Sequence, residues 1–212
     1  SMTNISPFII LLAVGFILII VNLKGGMQAV IWLDVFQGFM LFASGIICLG
    51  VLLFSIKGGV PEAIKIATAS NRTGFGPYDI DFTRLTLIVM IINGAFYAIQ
   101  KYGTDQTVVQ RYLTAKTDKA AEKASLLGIS LTVPIWTIFM LIGTALFVFY
   151  KQQPLPEGTN AAAVFPYFIM TQLPTGVIGF IVAALISAAI CSLSADLNSL
   201  AAVGIQDYYK KL

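Results

Sequence analysis

Gly176-Val-Ile-Gly-Phe-Ile-Val-Ala-Ala-Leu-Ile-Ser-Ala-Ala-Ile-Cys-Ser-Leu-Ser-Ala-Asp-Leu-Asn-Ser-Leu200 decides how this chain folds. The stretch is long enough to cross a bilayer as a helix, which takes about 20 residues. On a helical wheel at about 100° per residue, Ile186, Ala189, Ile190, Leu193, Leu197 and Leu200 form one apolar arc. Ser187, Cys191, Ser192, Ser194, Asn198 and Ser199 gather opposite, with Ala188 and Ala195. The first arc suits lipid, and the second suits protein or an ion. Small residues let neighbouring backbones approach closely, which accounts for the alanines and some of the serines. Packing leaves Asp196 unexplained, because a carboxylate in hydrocarbon costs about 2.5 to 3.5 kcal/mol unless it is paired, solvated or near an end. A hard cation held by hydroxyl, carbonyl and carboxylate oxygens would supply the partner.

The rest of the chain has the same character. Hydrophobic residues make up 58% of it and charged residues 11%, with a mean hydropathy of +0.87, which describes an all-α polytopic membrane protein rather than a soluble core. The net charge of +3 is therefore no sign of nucleic-acid binding; its distribution between loops carries the information. Cys48 and Cys191 both fall in apolar stretches, where a structural disulfide is not expected. The chain has no histidine and no cysteine cluster, which removes the usual zinc, haem and thiol chemistry. No grouping of nucleophile, base and orienting residue points to an enzyme.

Five spans are expected in a single transmembrane unit over residues 1–212, at about 7–23, 27–56, 85–101, 124–150 and 176–203. Lys24-Gly25-Gly26 closes the first in a tight turn. The second holds Asp34 and, one turn on, Gln37. A short surface helix starting at Pro61 is expected in the polar connection that follows. The third span meets Asn93-Gly94 and then the polar run from Gln100 to Gln106. Either the helix breaks there, as discontinuous membrane helices do where substrates bind, or it exits with Lys101 snorkelling to the headgroups. Arg111 to Lys123 reads as a basic loop, and Pro134 as a kink in the fourth span. The segment from Ala161 to Met170 reads as interfacial.

Five spans put the two ends on opposite sides of the bilayer. Lys24, Lys101, Arg111, Lys116, Lys119, Lys123, Lys210 and Lys211 lie on one side and Lys57, Lys65, Arg72, Arg84 and Lys151 on the other. The excess makes the first side, with the C-terminal end, cytoplasmic, in a plasma or bacterial inner membrane.

Four ordered blocks carry a resemblance. They are Gly25-Gly26-Met-Gln-Ala-Val-Ile-Trp-Leu-Asp34-Val-Phe-Gln37, Thr104-Asp105-Gln106-Thr-Val-Val-Gln110-Arg111, Leu173-Pro-Thr-Gly-Val-Ile-Gly179, and Ala188-Ala-Ile-Cys-Ser192-Leu-Ser194-Ala-Asp-Leu-Asn198-Ser199 with Asp207-Tyr208. Together they resemble the sodium/solute symporter family, whose members carry sugars, sialic acid, proline, monocarboxylates and vitamins. The resemblance implies part of a LeuT-like inverted-repeat bundle, with this chain as a middle piece near core helices 4–8 of a larger transporter. That parent would import a small organic solute such as a sugar, sialic acid or a carboxylate. It would work by alternating access, with Na+ as the coupling ion and no other cofactor. Its partners would be the lipid bilayer and the remainder of the transporter, without which this piece should not transport. Carried over by position, the main sodium site resembles Ala188, Cys191 and Ser192, with Cys191 in the place of a hydroxyl and therefore a softer ligand. A second site, found in some members, resembles Asp34 and Ser194, while Cys191 and Ala195 depart from its pattern. Lys101 and Tyr102 stand where relatives place a substrate or gate residue. A proton-coupled carrier of the same fold, titrating Asp34 or Asp196, and a membrane sensor or scaffold are the alternatives.

Overall fold

The structure is a computed structural model that describes residues 6–74, 76–156 and 158–211. It is built from helices. α1 (Pro7–Ser55) is interrupted at Gly26, whose φ of 54° and ψ of −159° lie where only glycine is at ease. α2 (Gly59–Ala69) follows a turn through Gly58. α3 (Leu87–Ile99) opens on Thr86, whose hydroxyl accepts from the Val89 amide. Gln100–Thr104 then forms a π turn, and α4 (Gln106–Leu113) restarts on a second cap, Asp105. α5 (Asp118–Gln152), a 3-10 turn and α6 (Val164–Gln172), and α7 (Thr175–Val203) complete the order. Gln28–Ser55, Asp118–Gln152 and Thr175–Tyr209 are each long and apolar enough to cross a membrane.

Arg111 corrects the sequence reading. It lies in α4 rather than in a loop, because the Asp105 side chain accepts from the Thr107 amide at 2.9 Å and starts a helix there.

The chain divides into two compact units. One contains residues up to 41, 101–125 and 183–212; the other contains 42–100 and 126–182. The core of the second unit follows helical periodicity: Cys48, Leu52 and Ile56 on α1, Ala63 and Ala67 on α2, and Ile142, Leu146 and Phe149 on α5. Phe149 packs edge-on against Phe168 of α6, with centroids 5.5 Å apart at 81°, a favoured geometry for aromatic pairs. The Gln152 side chain clamps the turn after α1, accepting from Lys57 N at 3.0 Å and donating to Lys57 O at 3.1 Å. Along α5 the hydroxyls of Ser130, Thr132, Thr137 and Thr144 each donate to the carbonyl four residues back. They are thus satisfied without water, as a segment in hydrocarbon requires.

Candidate functional site

The first unit gathers the polar residues of α1, α4 and α7. Asp34 lies on α1 with its side chain 23% exposed, and Arg111 Nη2 of α4 reaches its Oδ2 at 2.5 Å. Cys191 of α7 is buried, near enough to Asp34 for the two to interact electrostatically. One turn further along α7, Ser194 is fully enclosed, and its hydroxyl donates to Asn22 Oδ1 at 2.7 Å. Asn198 continues the seam: its Nδ2 donates to the Ser194 carbonyl at 3.1 Å, and its own carbonyl accepts from Gln110 Nε2 at 3.5 Å. Gln110 Oε1 and Arg111 Nε are enclosed with no hydrogen-bond partner among the described residues. The result is a continuous polar seam across three helices, in which charge is matched by charge, as burial in an apolar surround demands.

The expected main-site residues Ala188, Cys191 and Ser192 occupy one turn of α7. Cys191 is buried, Ala188 is half-buried and Ser192 is exposed on this chain. Of the expected second-site pair, Asp34 is bonded to Arg111, whereas Ser194 is bonded to Asn22. Asp196 is exposed. Neither Arg111 nor Asn22 was identified from the sequence as a site residue. The signal for Arg111 was present, because a carboxylate inside a membrane helix calls for a counter-charge. For Asn22, in an uncharged run, there was none.

At the other end of α4, Lys101 Nζ sits 2.6 Å from Asp105 Oδ2 within the π turn. Asp105 Oδ1 meanwhile takes the Thr107 amide and hydroxyl. The Lys101 hydrogen bond first, and then those from Thr107, hold the Asp105 carboxyl down at about 2. Lys101 and Tyr102 are both half-buried, at a break where backbone groups leave the regular helical pattern.

Residues 4–212 match the sodium:solute symporter family. The chain is 34% identical to the sodium/sialic acid symporter NanT of Aliivibrio fischeri over 99% of its own length and 42% of that protein's. It is 33% identical to the sodium/sialic acid symporter SiaT of Proteus mirabilis, over 99% and 43%. A solved Na+-coupled sialic acid symporter, in a substrate-bound outward-open state and described with a novel Na+ site, superposes with a TM-score of 0.90. The identity there is 32%, over 99% of this chain and 44% of that one. The chain thus spans less than half the length of the curated relatives it matches.

Proposed function

The chain belongs to the sodium:solute symporter family, and from that premise we propose that it is the central part of a sodium-coupled secondary transporter importing a small organic solute by alternating access. Its fold is the family's LeuT-like helical bundle, it is an integral membrane protein, and the family is one of transporters rather than enzymes. The observation that carries the proposal is the small, polar face of α7, on which Cys191, Ser194 and Ala195 are buried while Ser192 is open on this chain, within an otherwise apolar helix. In the main sodium site the Ala188 carbonyl and the Ser192 hydroxyl are the hard-oxygen donors. A helical carbonyl keeps a second lone pair for such a role. Cys191 is the softer third donor, and the remaining ligands come from outside this chain.

Lys101 supports an acidic solute, such as sialic acid or another carboxylate. Its ammonium stands at the helix break and is paired with Asp105, so a substrate carboxylate would join or displace that partner. The C-terminal end faces the cytoplasm in this reading, in keeping with the lysines that flank the spans on that side. The test is a sodium-dependent uptake screen of acidic and neutral sugars on the full-length protein in vesicles. Saturable uptake that vanishes when choline replaces sodium is expected; uptake indifferent to sodium would refute the proposal.

A further inference from the structure

We infer that Asp34 is not a sodium ligand in this protein: Arg111 is its resident counter-cation. The inference rests on the sodium-coupled reading above and concerns what each of its charged residues does. Asp34 Oδ2 already carries a guanidinium at 2.5 Å, and a sodium ion on the same carboxylate would sit against that positive charge in a surround that screens poorly. The remaining positions of the expected second site are ill suited to a hard ion. Cys191 offers sulfur, Ala195 offers a methyl group, and the Ser194 hydroxyl is directed at Asn22. Arg111 supplies the full charge that a lone intramembrane carboxylate requires, so no second cation is needed.

The experiment uses the purified full-length protein and sodium alone, with thermal stability followed as sodium replaces choline at constant ionic strength. One sodium ion is expected, with a Hill coefficient of about 1 in wild type and in Asp34→Asn. A Hill coefficient near 2 that falls to about 1 in Asp34→Asn would overturn the inference. In sodium-free buffer, Asp34→Asn and Arg111→Gln should each lower the melting temperature, the double variant should lose clearly less than their sum, and Arg111→Lys should lose less than Arg111→Gln. Additive losses would refute the pair. A protein whose melting ignores sodium yet shows that non-additivity would refute sodium coupling and leave the pair standing.

Discussion

Asp105 uses both carboxylate oxygens, one to cap α4 and one to hold Lys101. Replacing it with Ala should cost about 1 kcal/mol through the cap and more through the freed lysine, read as a lower melting temperature of the purified protein. The sign of the pH effect follows from the depressed value of about 2. The contribution is complete above the carboxyl's unfolded value near ~3.9 and fades as pH falls through about 2. Asp105→Asn should therefore flatten the acid side of the stability profile and leave the slope between pH 6 and 8, roughly, unchanged; an altered neutral slope would contradict the assignment. Lys101→Gln should raise the KM for a carboxylate solute about tenfold, as expected for loss of one charge-assisted contact, with little effect on a neutral sugar. An unchanged KM, with Lys101 modified by an impermeant cytoplasmic amine reagent, would mean that it only snorkels.

At this scale the sequence was half legible. That Asp34 requires a partner follows from the cost of a bare carboxylate in hydrocarbon. The identity of the partner does not, because Asp34 and Arg111 are 77 positions apart and meet only through the packing of α1 and α4. Ser194 and Asn22 stand 172 positions apart and were hidden for the same reason.

Helices and their breaks were more open to reading. The Gly25-Gly26 pair marks the interruption of α1 because the backbone there excludes other residues: Gly26 has a positive φ, and a Cβ on Gly25 would stand 2.3 Å from that of Ala29. Gly26→Ala should cost on the order of 1–3 kcal/mol of stability, and a thermal melt indistinguishable from wild type would show that the turn is not strained. The two faces of α7 were legible from residue size and polarity: Cys191, Ser194 and Ala195 are buried while Ile186 and Leu200 are exposed. In the second unit, Phe149→Ala should cost roughly 3–5 kcal/mol, since the ring is 1% exposed and seated against Phe168. The restart of α4 was missed because a capping aspartate directly after a π turn reads in sequence as the start of a loop.

For the whole molecule, class and family were accessible from composition and four short blocks, while the sodium site, as proposed, draws on residues outside this chain. Trp32, Phe39, Phe54, Trp136 and Met140 are exposed here, a pattern that suits lipid or the remainder of a larger bundle and not water. Sodium coupling is the central claim, and concentrative uptake by the full-length protein in proteoliposomes tests it most directly. With an inward sodium gradient and no pH gradient, an acidic sugar should accumulate above its external concentration and leak back when a sodium ionophore collapses the gradient. Accumulation that persists without sodium and follows an imposed pH gradient instead would contradict it.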